Sequence, residues 1–107
     1  MGPRPVGGVR RGDVFHHDAL DRRFVVVSTD RLTEAGTAIV AEVHPEIPIG
    51  MRGMLAVSLR DEDPIGGAVL GWRVNYIAAE RLGKHLGRLT DETMEIVDMA
   101  LRTALDL

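Results

Sequence analysis

Apolar residues fall in short runs separated by glycine, proline and acidic clusters, the spacing of a β-rich chain closed by one helix. The densest run is Phe24-Val25-Val26-Val27, framed by Leu20-Asp21-Arg22-Arg23 before it and Ser28-Thr29-Asp30 after it. Consecutive β-branched valines suit a pleated surface. The run lacks polar alternation, so residues 23–29 predict a central strand buried on both faces. Upstream, Val14-Phe15-His16-His17 predicts a first strand. Alternation puts Val14 and His16 on one face and Phe15 and His17 on the other. Residues 18–21 make the short hairpin connection between the two strands.

Residues 30–36 are polar and suit a loop or one helical turn closed by Gly36. Residues 37–44 predict a strand ended by Pro45 and Pro48, because proline gives the ladder no N–H. Gly50 and Gly53 bracket a turn, and residues 54–59 predict the next strand. An acidic turn follows, Asp61-Glu62-Asp63-Pro64, then Gly66-Gly67. Residues 68–70 and 73–77 predict two strand segments, with Gly71-Trp72 as a bulge between them. Residues 78–89 predict a helical turn and a brief strand at Arg88-Leu89. Thr90 is a good N-cap, and Asp91 and Glu92 complement the helix dipole. Met94, Val97, Leu101, Ala104 and Leu105 recur at helical spacing, so this helix docks on the sheet through that stripe. The predicted class is mainly β with α: a small, strongly curved, barrel-like antiparallel sheet carrying a C-terminal amphipathic helix.

At 107 residues the chain suits one domain, residues 10–107, behind a flexible tail at 1–9 rich in glycine and proline. Aromatics are only 4%, so the core must be built from Val, Ile, Leu, Ala and Met. No apolar run approaches the ~20 residues needed to cross a bilayer. No signal-peptide pattern stands at the N-terminus, which makes the cytoplasm the expected location. The chain has no cysteine, which excludes disulfides and thiolate metal sites. A net charge of −3 argues that any nucleic-acid contact is a local basic patch.

Arg22 and Arg23 stand at the mouth of the central strand, where a pair of guanidinium groups can hold a phosphate or carboxylate, or simply be solvated. His16 and His17 point to opposite faces of a strand and cannot chelate one ion without a bulge, so no metal site is expected. His85 reads as surface. Trp72 and Tyr76 can stack on unpaired bases or pack in a core or interface. The acidic turn at 61–63 would repel RNA and belongs away from an RNA-facing surface.

Arg11-Gly12-Asp13-Val14, the run from Arg22 to Ser28-Thr29-Asp30, and Thr37-Ala38-Ile39-Val40-Ala41 resemble the opening of the MazF/PemK/Kid toxins. Arg81-Leu82, Gly87-Arg88-Leu89-Thr90-Asp91-Glu92, Val97-Asp98, Ala100-Leu101 and a final Leu-Asp-Leu resemble their close. The resemblance spans residues 10–107. It implies an SH3-like barrel with a C-terminal helix, a homodimer, and neutralisation by a cognate antitoxin protein. It also implies a cofactor-free, metal-independent endonuclease for single-stranded RNA, in which a ribose 2′-OH attacks the adjacent phosphate to leave a cyclic phosphate. The family's catalytic arginine falls on Arg22, and its second catalytic position, often threonine, falls on His44. Arg23 stands where proline is usual. The usual Gln-x-Arg-Thr-hydrophobic-Asp string reads Arg73-Val74-Asn75-Tyr76-Ile77-Ala78, without its arginine and aspartate. The RNA-contacting set is then Arg23, His17, Arg73, Asn75 and Tyr76, with His17 beside a first loop cut to about four residues. Met51, Met54, Met94 and Met99 suit adaptable packing or an antitoxin groove, with Met54 and Met94 assigned to the core. These departures leave an alternative: a non-catalytic member of the fold that binds nucleic acid or a protein target, gyrase-directed or regulatory.

Overall fold

Among the described residues, Val25 and Val26 of the triple-valine run lie inside a six-stranded sheet with a core on each of its faces. The computed structural model describes residues 8–47 and 55–107. The strands are β1 (Asp13–His17), β2 (Arg22–Val26), β3 (Thr37–His44), β4 (Ala56–Ser58), β5 (Ala68–Ala78) and β6 (Lys84–Arg88). Their order is β4-β5-β3-β2-β1-β6, and every pairing is antiparallel. Among the described residues the strands are accompanied by two α-helices, α1 (Asp30–Glu34) and α2 (Asp91–Leu105), and a single 3-10 turn at Ala79–Arg81. Gly36 follows α1 at φ +103°, a conformation that favours glycine. Most of the predicted tail, together with Pro48, the turn at Gly50–Gly53 and the start of the predicted strand at Met54, lies outside the described residues.

The sheet curls without closing: β4 and β6 are its edges among the described residues. The barrel expected from the sequence is thus an open sheet, bent far enough for the β4–β5 loop to reach β6. A Cβ on Gly87 of β6 would come within 2.5 Å of Pro64. β2 is shorter than the predicted 23–29. At its end the Ser28 hydroxyl takes the Ile39 N–H at 3.1 Å, replacing a ladder bond with a side-chain one.

Alternation sends Val14, Val25, Ala41 and Val43 to the face covered by α2, where they meet Met94, Val97 and Ala100. Phe15, Phe24, Val26, Ala38 and Val40 take the other face with Ile77 and Leu82. α2 buries Thr93, Met94, Val97 and Ala100. Leu105, predicted to dock, is the last residue of α2 and is 59% exposed. Gly71 to Arg73 form the predicted irregularity. Ala41 pairs with Val74 and Glu42 with Leu70, which leaves residues 71–73 as a bulge within one continuous β5.

Two buried carboxylates organise the chain ends of this frame. Asp13 accepts the Arg10 N–H at 2.7 Å and Arg88 Nε at 2.9 Å, and lies 3.3 Å from His85 Nε2. The segment from Arg10 and the segment ending in Arg88, near opposite ends of the chain, therefore meet at Asp13. His85 is not a plain surface residue: its ring packs on Phe15 with centroids 5.2 Å apart. Arg11 pairs with Asp98 of α2 and donates to the Val27 carbonyl at 3.2 Å, tying helix to sheet.

Asp63, in the acidic turn, is a structural anchor rather than a surface charge. Its carboxylate accepts the N–H groups of Arg60 and Thr90 and the Thr93 hydroxyl at 2.9, 2.9 and 2.8 Å. Burial pushes its pKa up, but these hydrogen bonds prevail and hold it below the ordinary value. Asp63→Ala is expected to cost about 2–4 kcal/mol at neutral pH, since it strands buried donors and loosens the cap of α2. A carboxylate whose pKa is lower folded than unfolded stabilises the fold above the unfolded value, ~3.9, and that contribution fades as pH falls toward the folded one. Urea titrations should therefore show the gap between wild type and variant shrinking from pH 7 to pH 3.

Candidate active-site cleft

The ends of β2 and β3, the β1–β2 turn and the bulge of β5 together enclose a cleft of about 420 Å³. It is lined by His16, Asp21, Arg22, Arg23, Glu42, Val43, His44, Pro45 and Arg73. Each side chain is placed by its element. Arg22 and Arg23 open β2, His44 closes β3 before Pro45, and the bulge presents Arg73. Three arginines outnumber the two carboxylates, so the cleft is a local basic patch on an acidic protein.

Glu42 is its centre. The residue is 5% exposed and carries an arginine on each oxygen. Arg73 Nη1 is 3.0 Å from Oε2, and Arg22 Nε is 3.6 Å from Oε1. Both guanidinium groups remain about half exposed, with side chains at 51% and 55%. The carboxylate thus holds the two forks while leaving further N–H groups for an oxyanion in the cleft.

His44 Nδ1 lies 2.8 Å from the Glu46 carbonyl oxygen and 3.3 Å from the Glu46 nitrogen. The shorter contact assigns the proton to Nδ1, which leaves Nε2 as a bare acceptor. His16 Nδ1 is 2.9 Å from Asp18 Oδ1, and its Nε2 is 3.1 Å from Asp21 Oδ1. The hydrogen bond to Asp18, then the one to Asp21, hold the His16 imidazole above its ordinary pKa.

Of the residues singled out in the sequence, Arg22, Arg23, His44 and Arg73 come together here. His17 does not. It pairs in register with Arg22, but it stands edge-on to Phe24 at 6.4 Å and lines a separate hollow with Arg81 and Gly83. Asn75 and Tyr76 lie on another apolar surface, with Leu32, Ile39 and Val74, and the Tyr76 side of it is open: the residue is 76% exposed. Sequence reasoning missed Glu42 and His16. A signal for Glu42 existed, since one acid interrupts the apolar run from Ile39 to Val43. His16 precedes two acids of the turn, Asp18 and Asp21, a signal of the same kind.

Residues 10–105 match the family model described as PemK-like, MazF-like toxin of type II toxin–antitoxin system. The chain belongs to this toxin family. The match spans every strand and both helices. No curated protein sequence matches the chain. Among solved structures, the toxin is similar to an endoribonuclease from mycobacterial species at TM-score 0.83 and 24% identity, covering 100% of this chain and 96% of that one. It is similar to the MazE–MazF complex (Form-I) of Deinococcus radiodurans at TM-score 0.78 and 16% identity, covering 92% and 97%. It is also similar to Mycobacterium tuberculosis toxin MazF-mt6 at TM-score 0.72 and 17% identity, covering 91% and 98%. At these identities the likeness is one of fold. Among the described residues, no helix is long and apolar enough to cross a membrane.

Proposed function

We propose that this toxin is an endoribonuclease that cuts single-stranded RNA by attack of a ribose 2′-OH on the neighbouring phosphate. The observation that carries the reading is the grouping of Arg22, Glu42, His44 and Arg73 in one solvent-open cleft. In-line attack needs a proton acceptor for the 2′-OH, a cationic cradle for the phosphorane and a donor for the departing oxygen. His44 Nε2 is the acceptor. Arg22 and Arg73, set by Glu42, cradle the developing charge, and Arg23 contacts an adjacent phosphate. Tyr76 and Asn75, on their separate surface, and His17, in its own hollow, serve as outlying contacts for the same strand of RNA.

Similarity in fold to an endoribonuclease and to MazF in complex with MazE supports the reading. On the same footing the toxin acts in the cytoplasm as a homodimer and is held by a cognate antitoxin. The purified toxin is expected to cut single-stranded RNA in EDTA, leaving a 2′,3′-cyclic phosphate and a 5′-OH that mass spectrometry of the fragments identifies. Intact RNA, together with growth arrest on induction, would sink this reading in favour of a non-catalytic toxin.

A further inference from the structure

The proton acceptor and the cationic cradle have residues; the departing oxygen has none. His16 faces the cleft from the strand next to β2, on the far side of Arg22 and Arg23 from His44. We propose that His16 is the general acid of RNA cleavage, giving its Nε2 proton to the 5′-oxygen as the P–O5′ bond breaks. The assignment rests on the ribonuclease reading above and adds a residue to it.

Two carboxylates hold the imidazole, and they are not equivalent. Asp18 engages Nδ1 and Asp21 engages Nε2. Asp21 itself lines the cleft; its side chain is 93% exposed, on a residue at φ +49° in the tight turn. An incoming phosphodiester displaces that carboxylate by like-charge repulsion, and the 5′-oxygen takes its place on Nε2. Asp18 stays on Nδ1 and orients the ring. The other charged groups beside His16 are its register partners, Arg23 of β2 and Lys84 of β6. Across the cleft stand Arg22, Glu42, His44 and Arg73. The neighbouring cations favour loss of the proton, which helps delivery. The Asp18 hydrogen bond, the largest influence raising its pKa, favours the charged ring until then.

The step balances. His44 Nε2 takes the 2′-OH proton, the 2′-oxygen bonds to phosphorus, and the electron pair of P–O5′ leaves on O5′, which receives the His16 proton. His44 ends charged and His16 neutral; proton exchange with water restores both.

The test uses an RNA oligomer carrying the mapped cleavage site, made with either oxygen or sulfur at the scissile 5′ position. A thiolate leaves without protonation. His16→Asn is expected to cut the oxygen substrate about a hundredfold slower than wild type, and the sulfur substrate within about threefold of it. Asp18→Asn, on an exposed turn, is expected to move the alkaline limb of the kcat profile to lower pH. The same loss on both substrates overturns the assignment, as does an alkaline limb unmoved in Asp18→Asn; the latter decides even where His16→Asn does not fold. A wild-type toxin that leaves RNA intact overturns the ribonuclease reading and this assignment with it. Cutting by wild type with equal deficits in His16→Asn overturns only the acid.

Discussion

Arg22→Ala is expected to cut single-stranded RNA about a thousandfold slower than wild type, with Arg22→Lys recovering little of the loss. Arg22 extends from the first position of β2, and its Nε faces Glu42 at 3.6 Å. That contact sets the fork and leaves its terminal nitrogens free for two phosphate oxygens. A lysine offers one compact charge with no second point of attachment, and it cannot satisfy Glu42 and the phosphorane at once. The same side chain is 55% exposed, so its loss costs little folding energy, within about 1 kcal/mol. Single-turnover cleavage, measured beside a thermal melt, separates the two effects. A variant that melts like wild type and still cuts like wild type removes Arg22 from the chemistry.

How far this cleft could be read from the sequence differs between its walls. Arg22 was legible as a charge before a valine run, whereas His44 was singled out only by the family resemblance, which puts a second catalytic position there. The bulge at Gly71-Trp72 was legible too, and it explains how Arg73 reaches the cleft when a straight ladder would carry that strand past it. The elements β3 and α2 were read closely from alternation and from the Thr90 cap, whose hydroxyl accepts the Thr93 N–H. Glu42 was not read, because a lone acid in an apolar strand gains meaning only when two arginines from other strands converge on it, and that convergence is a property of sheet order. His16 and His17 were confused for a related reason. Alternation sends them to opposite faces, but the cleft at the strand ends takes side chains from both pleats, Arg22 beside Arg23, so alternation alone could not choose between the two histidines. Asp63 looked like part of a solvated acidic turn; its burial follows from the fold-back of that turn onto the start of α2.

Open closure of the sheet has the same origin. Pairing between the edge strands is set by how far the sheet bends, and residue type along one strand carries little information about accumulated twist. The contact between Pro64 and Gly87 is the point at which the bend becomes visible. It lies beside Asp63, so one loop both approaches the opposite edge and caps α2.

Glu42→Gln is expected to lower kcat about a hundredfold while leaving KM for RNA unchanged or lower. Gln keeps the size of Glu42 but offers one acceptor in place of two, and its amide N–H₂ group faces one of the arginines. Arg22 and Arg73 then lose a common fixed point, and a shift of their forks by about 1 Å is enough for a loss of this size. Binding moves the other way, because removing a negative charge makes a phosphate site more cationic. A residue needed only for folding would not split kcat from KM in this direction. The stability cost is expected at about 1–3 kcal/mol, limited because both arginines are half exposed and can turn to water. A double variant with Arg73→Met sharpens the test. If Glu42 acts through the arginines, the two substitutions cost less together than the sum of their separate effects on kcat. Full additivity, or a KM that rises with kcat unchanged, places Glu42 outside the reaction and reduces it to a buried counter-charge of the sheet.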